Sequence, residues 1–150
     1  MYSYPFTPKT PYLTTDGIIE VYQNGRFRGI VLIERKHEPV GLALPGGFVD
    51  VGERVEDALV REMKEETTLD VEISSLLGIY SDPMRDPRFH TASAVFVAVA
   101  EGEPRGEDDA KEARIYALDE IPFDLMVFDH AAILRDYLSA RTKGAAHDCK

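Results

Sequence analysis

The sequence predicts a domain of the α-and-β class, in which a mixed sheet lies between helices. Strand-length apolar runs bounded by turn residues recur along the chain, with the run at 91–100 the most apolar of them. Two segments, 53–68 and 129–140, instead place their apolar residues at helical spacing. The 150 residues are enough for one domain with its own core, and we expect a single domain over 1–150.

Residues 1–11 are predicted to form an extended arm, because their three prolines disfavour a helix. Aromatic residues alternate along this arm and at its junction with the first strand: Tyr4, Phe6 and Tyr12. We expect these side chains to cover the edge of the domain's own core. Stacking on a nucleotide base and packing across a dimer are the alternatives.

The strands of the sheet are expected at 13–22, 27–35, 71–80, 91–100 and 112–118. Asn24-Gly25 is a hairpin signal between the first two strands. The small and β-branched run TASAVFVAVA is typical of a strand buried on both faces. Asp129 is a plausible N-cap for a helix that ends near Ala140, which leaves 141–150 as a flexible tail.

The composition argues against several classes of protein. A net charge of −10 offers no basic surface for a general nucleic-acid binder. No apolar run approaches the ~20 residues of a membrane span, and the N-terminus lacks a signal-peptide pattern. The single cysteine, Cys149, allows no internal disulfide, which suits the cytoplasm. We therefore expect a cytoplasmic protein that neutralises any anionic substrate with metal ions or local arginines.

The helix predicted over 53–68 carries carboxylates on its apolar face. The stripe that Leu59 occupies is continued by Glu62 and Glu66, with Glu65 at its edge. Like charges at i,i+4 repel, and the helix dipole disfavours anions in the last turns. A divalent cation such as Mg²⁺ or Mn²⁺ would offset both costs, since carboxylate oxygens are ligands that such ions prefer. A solvated acidic face held by local ion pairs is the alternative.

The residues around this helix also follow a known spacing. The tight turn Leu44-Pro45-Gly46 leads into the pattern G-x5-E-x7-R-E-x-x-E-E, formed by Gly47, Glu53, Arg61, Glu62, Glu65 and Glu66. This pattern resembles the Nudix box, except that Thr68 stands where the box has glycine. Because a β-branched residue fits a left-handed helix cap poorly, we expect the end of the helix to differ locally.

The resemblance implies an α/β/α sandwich and metal-dependent hydrolysis of a nucleoside diphosphate linked to another moiety. The metal ligands it implies are three carboxylates and one backbone carbonyl: Glu62, Glu65, Glu66 and Gly46. It also places Gly46 and Gly47 beside the substrate, and gives Arg61 and Glu53 the role of fixing the loop against the helix.

The box does not identify the general base that receives the proton of the attacking water. Our candidate is Asp109, in the acidic loop over 101–110. A loop that is merely solvated is the alternative.

The loop 81–90 and the segment 108–113 resemble the bacterial and archaeal ADP-ribose pyrophosphatase branch of the family. That resemblance implies cleavage of ADP-ribose to AMP and ribose 5-phosphate, with Arg85 or Arg88 holding a phosphate or the terminal ribose. The alternative for both arginines is pairing with the aspartates of their own loop.

Two other functions remain open: hydrolysis of oxidised nucleoside triphosphates or another nucleotide sugar, and non-catalytic nucleotide sensing. The presence of all four box glutamates argues against a sensor. Relatives often dimerise, and a homodimer is left open.

Overall fold

The computed structural model describes residues 3–148, and across this range it contains a seven-stranded mixed sheet and two α-helices. The strands are β1 (Tyr12–Gln23), β2 (Arg26–Arg35), β3 (Leu42–Ala43), β4 (Gly46–Phe48), β5 (Glu72–Tyr80), β6 (Thr91–Glu101) and β7 (Ala110–Tyr116). The helices are α1 (Val55–Thr67) and α2 (His130–Asp148), and two short 3₁₀ segments precede α2 at Leu118–Glu120 and Phe123–Leu125. No helix in the described part of the chain is long and apolar enough to span a membrane.

The sheet is mixed because its two long central strands run parallel while their neighbours run antiparallel. The order is β3-β2-β1-β6-β5, with β4 also paired to β1 and β7 to β2. β1 and β6 pair in parallel from Tyr12 opposite Thr91 to Tyr22 opposite Glu101. The hairpin between β1 and β2 turns at Asn24, with a φ of 53°. As expected, β6 is almost entirely buried.

The two helices cover opposite faces of this sheet. Successive residues of a strand point to opposite faces, so Ile19 packs in the cluster that contains Leu59 of α1, whereas Ile18 packs in the cluster that contains Ile133 of α2. Each cluster contains several fully buried aliphatic side chains. The result is the α/β/α layering that the resemblance implied.

Two expectations about the chain ends were wrong. Tyr4, Phe6 and Tyr12 are 71%, 63% and 59% exposed, so the side chains do not cover the core. Helix α2 continues to Asp148 instead of ending near Ala140. The outermost residues of the predicted arm and tail, 1–2 and 149–150, lie outside the described residues.

Candidate active site

The site is built where β4 leads into α1, and close packing requires glycine at both positions of its turn. A methyl group on Gly46 would lie 2.3 Å from the carbonyl oxygen of Thr15, the neighbouring strand's backbone. A methyl group on Gly47 would lie 2.5 Å from the carboxylate of Glu62. Neither glycine has a positive φ. Their role is to let β1 and the helix approach the turn, rather than to permit an unusual backbone conformation.

Arg61 fastens the loop after β4 to helix α1. Its Nε donates to Glu53 Oε2 at 2.7 Å, and its Nη2 donates to Glu53 Oε1 at 2.8 Å and to the carbonyl of Phe48 at 3.1 Å. Glu53 also accepts a bond from the backbone N–H of Asp50 at 3.1 Å. The hydrogen bonds from Arg61 lower the pKa of Glu53 to about 2, so Glu53 is ionised at neutral pH.

Two of the three predicted metal-ligand carboxylates on α1, those of Glu62 and Glu66, are largely buried, whereas that of Glu65 is more exposed. Glu66 is only 5% exposed, and its Oε2 accepts a hydrogen bond from the N–H of Gly46 at 2.9 Å. Burial, opposed by that bond and reinforced by neighbouring carboxylates, raises the pKa of Glu66 to about 8. Burial also raises the pKa of Glu62. Glu65 is more open to solvent, in keeping with its predicted place at the edge of the stripe.

Glu62 and Glu66 open into a cleft of about 400 Å³ that carries charges of both signs. Its acidic lining is Asp16, Asp50, Glu62, Glu66, Asp86 and Asp109, and its arginines are Arg35, Arg85 and Arg88. The candidate base, Asp109, is highly exposed, and its Oδ1 lies 3.7 Å from Nε2 of His37. Its position in the cleft and its exposure leave both the catalytic and the solvated interpretations open.

The donor atoms suit a hard cation, although the ligand set is not preassembled. Among residues 3–148, no group of three or more His, Cys, Asp or Glu side chains is arranged to hold a metal ion. Two of the glutamates are instead bound by Arg61, whose Nη1 donates to Glu62 at 3.0 Å and to Glu65 at 3.2 Å. The glutamates offer only oxygen atoms, and the burial of like charges at Glu62 and Glu66 favours a cation between them. The chemistry of these residues therefore fits Mg²⁺ or Mn²⁺, and the ligand assignment stays a prediction.

The two arginines of the loop 81–90 have different partners. Arg85 is 8% exposed and binds Asp129 through Nε at 2.9 Å and Nη2 at 2.7 Å, and its Nη1 donates to Thr91 at 2.7 Å. This partner lies outside the loop and was not foreseen. Arg88 binds Asp86 through Nε at 3.0 Å and Nη2 at 2.9 Å, the pairing given as the alternative. Both arginines line the cleft, and substrate binding by either stays a prediction.

Sequence reasoning missed several residues of the cleft, and two of them form a buried polar pair beneath the glycine turn. Asp16 accepts a hydrogen bond from the hydroxyl of Ser93, and burial raises the pKa of Asp16 to about 6. Nδ1 of His130 accepts the N–H of Leu44 at 2.9 Å, and burial lowers the pKa of His130 to about 3, so that its ring is neutral. An acidic residue within the predicted strand 13–22 is the signal that could have indicated Asp16.

We expected the end of α1 to differ locally because Thr68 replaces the box glycine, but the backbone there has the usual left-handed cap. Thr68 itself adopts the left-handed conformation, with φ 67° and ψ 0°, and its N–H bonds to the carbonyl of Lys64 at 3.0 Å. The backbone cap is therefore the one that glycine would form, at the steric cost of a β-branched residue in this region.

Comparisons with known proteins agree with the fold. A model of the NUDIX domain matches residues 11–137. The ADP-ribose pyrophosphatase of Methanocaldococcus jannaschii is 49% identical over 131 residues, which cover 85% of this chain and 73% of that protein. A MutT/nudix family protein from Enterococcus faecalis gives a TM-score of 0.79 at 27% identity, over 94% of this chain and 66% of that one.

A bifunctional NMN adenylyltransferase/ADP ribose pyrophosphatase from Francisella tularensis, solved with AMP and a manganese ion, gives a TM-score of 0.76 at 28% identity. The match covers 91% of this chain and 43% of that one, so this chain spans less than half the length of the Francisella protein.

Proposed function

The chain belongs to the Nudix family, and on that premise we propose that it hydrolyses ADP-ribose to AMP and ribose 5-phosphate. The observation that carries this proposal is the 49% identity with the Methanocaldococcus jannaschii ADP-ribose pyrophosphatase across 85% of this chain. The cleft supports the same chemistry, because it combines buried carboxylates with arginines beside a glycine turn.

The carboxylates of α1 would hold the divalent ion. In this proposal Glu62 and Glu66 are the main ligands of Mg²⁺ or Mn²⁺, with Glu65 and the carbonyl of Gly46 as additional ones. Such an ion, when bound, neutralises charge on the diphosphate and activates water. Support comes from the oxygen-only donor set and from Glu66, a buried carboxyl group that has no arginine or lysine within ion-pair distance in the described part of the chain.

The neighbouring residues would position these ligands and the substrate. Arg61 and Glu53 fix the loop after β4, and so set the position of Gly46 and Gly47 relative to α1. Because neither glycine has a side chain, the turn lies directly against β1 and the carboxylate of Glu62, and both glycines line the cleft in which the diphosphate would bind. Arg88 is proposed to contact a substrate phosphate, because its guanidinium is partly exposed in the cleft.

Asp109 is proposed as the general base. It lines the same cleft as Glu62 and Glu66, and the charge of Asp109 contributes to the raised pKa of Glu66. A base must come within hydrogen-bond reach of the attacking water, and a carboxylate on an open loop can approach substrate from the solvent side. Arg85 faces the cleft too, and with its guanidinium bound to Asp129 its main proposed role is to hold the loop 81–90 in place.

A substrate panel tests the proposal. The purified chain is assayed with Mg²⁺ against ADP-ribose, other nucleotide sugars and oxidised nucleoside triphosphates, with products separated by chromatography and a chelator as the blank. We expect ADP-ribose to give the highest kcat/KM, with AMP as a product. Turnover of a nucleoside triphosphate without turnover of ADP-ribose would overturn the substrate assignment. Tight ADP-ribose binding without hydrolysis would indicate a sensor.

A further inference from the structure

Two arginines in the cleft stack on one aromatic ring. The guanidinium carbon of Arg35 lies 5.0 Å from the centroid of the Phe128 ring, and that of Arg88 lies 5.4 Å from the same centroid. Arg88 also lies 5.0 Å from the ring centroid of Phe89. Cation–π contact favours each arginine separately, but it brings two like charges to one ring.

Phe128 occupies this position at a conformational cost. Its φ is 57°, in the left-handed region that bulky side chains rarely adopt. Strain of this kind persists only where the surrounding structure determines the conformation, and it tends to occur at ligand sites. The ring lines the cleft beside its arginines. We therefore attribute the positive φ of Phe128 to the position of its ring in the cleft and not to the backbone preference of phenylalanine.

The two arginines differ in how their charge is compensated. Arg88 forms a bidentate ion pair with Asp86. Arg35 is half-buried, and its Nε donates to the carbonyl of Pro39 at 2.8 Å. Within residues 3–148, no carboxylate forms an ion pair with Arg35, although Glu66 and others are near enough to act on its charge. Burial, followed by the charge of Arg88, lowers the pKa of Arg35.

A half-buried cation without an anionic partner is costly, and a second cation on the same ring adds to that cost. An anion with several oxygen atoms would remove both costs, because a guanidinium fork matches phosphate oxygens in pairs. We propose that Arg35, stacked on Phe128 beside Arg88, binds a phosphate of the substrate's diphosphate group. This inference rests on the proposed function for the identity of the substrate, and it adds a binding residue from β2 that lies outside the box.

The test removes the guanidinium and its charge while keeping a polar side chain. In Arg35→Gln, kcat/KM for ADP-ribose should fall by about 10- to 100-fold, mainly through KM, as expected when one charged hydrogen-bonding group is lost. Arg35→Lys should recover part of the loss, since it keeps the charge but not the fork. The matched control is Arg28→Gln, an exposed arginine on the same strand outside the cleft, which should stay within twofold of wild type.

Equal kcat/KM in wild type and Arg35→Gln would overturn the inference while leaving the proposed function intact. If wild type does not hydrolyse ADP-ribose, the proposed function fails, and the anion site is judged separately by calorimetry with inorganic pyrophosphate in Mg²⁺ buffer. A dissociation constant at least tenfold weaker in Arg35→Gln than in wild type supports the site. Equal affinities, or no binding by wild type, overturn it. Melting temperatures of all variants show whether each is folded.

Discussion

The substitution Gly47→Ala should remove most of the catalytic activity and leave the fold stable. The added methyl group would lie 2.5 Å from Oε1 and 2.7 Å from Oε2 of Glu62, whereas ordinary contact begins at 3.4 Å. The carboxylate must therefore withdraw by about 1 Å or rotate away from the turn, and a misplacement of that size at a catalytic group costs ~100-fold in rate. This corresponds to about 2.7 kcal/mol of lost transition-state stabilisation.

The stability of this variant should change much less. The atoms in the way belong to the end of a flexible glutamate side chain, and Gly47 lies in a strand with an ordinary φ. A cost below ~1 kcal/mol would move the melting temperature by no more than ~4 °C in a chain of this size. Gly46→Ala should behave differently, because its methyl group would meet the backbone oxygen of Thr15 at 2.3 Å. That clash has no side chain to relieve it, and we expect loss of folded protein.

The assay measures kcat/KM for ADP-ribose at saturating Mg²⁺ together with the melting temperature. Gly78→Ala is the matched control, since the nearest heavy atom to its methyl group would be 3.7 Å away and β5 does not line the cleft. A folded Gly47→Ala protein whose kcat/KM stays within threefold of wild type would refute the reasoning. Glu62 would then have no part in catalysis.

Four further results are expected. Glu66→Gln should lower kcat by at least ~100-fold without lowering the melting temperature, because it removes a proposed ligand and also a like-charge repulsion; wild-type turnover would contradict the ligand assignment. Asp109→Asn should reduce turnover by more than ~10-fold, and a smaller change would remove Asp109 from the role of base. Mg²⁺ at ~100 times its dissociation constant should stabilise wild type by about 2.7 kcal/mol in thermal melts, and Glu66→Gln by less. Thr68→Gly should raise the free energy of unfolding by up to ~1 kcal/mol through relief of its positive φ, whereas Asn24→Gly, at a position where asparagine is tolerated, should not.

The fold could be predicted largely because its signals are local. Helix α1, Val55–Thr67, lies within the segment 53–68 that the periodicity indicated, and β6 falls on the predicted apolar run. Strand β4 was not predicted, since Gly46–Phe48 has no alternating pattern and becomes a strand only by pairing with β1. The continuation of α2 to Asp148 was missed because residues 141–148 are small or polar and show no amphipathic pattern.

Helical periodicity could predict only the part of the site whose residues are close in sequence, whereas the family resemblance and an acidic loop indicated Arg85, Arg88 and Asp109. The box glutamates share one helix, so their common face follows from the helical period. The partner of Arg85 is Asp129, 44 residues away, and that separation gives no pattern to detect. Asp16 and Arg35 lie in strands whose pairing with β4 and β7 brings them to the cleft. Such convergence depends on topology, which a single sequence does not contain.

The separation of acidic and basic groups in the cleft supports the proposed binding of a metal-bound diphosphate. Glu66 and Arg35 both line it, yet no ion pair joins them in the described part of the chain. Each is anchored to the backbone instead, Glu66 by the N–H of Gly46 at 2.9 Å and Arg35 by the carbonyl of Pro39 at 2.8 Å. A direct pair would satisfy both charges and leave neither for a ligand. Anchored apart, the carboxyl group would be available to a cation and the guanidinium to a phosphate, so the proposed metal–diphosphate complex would satisfy both groups together.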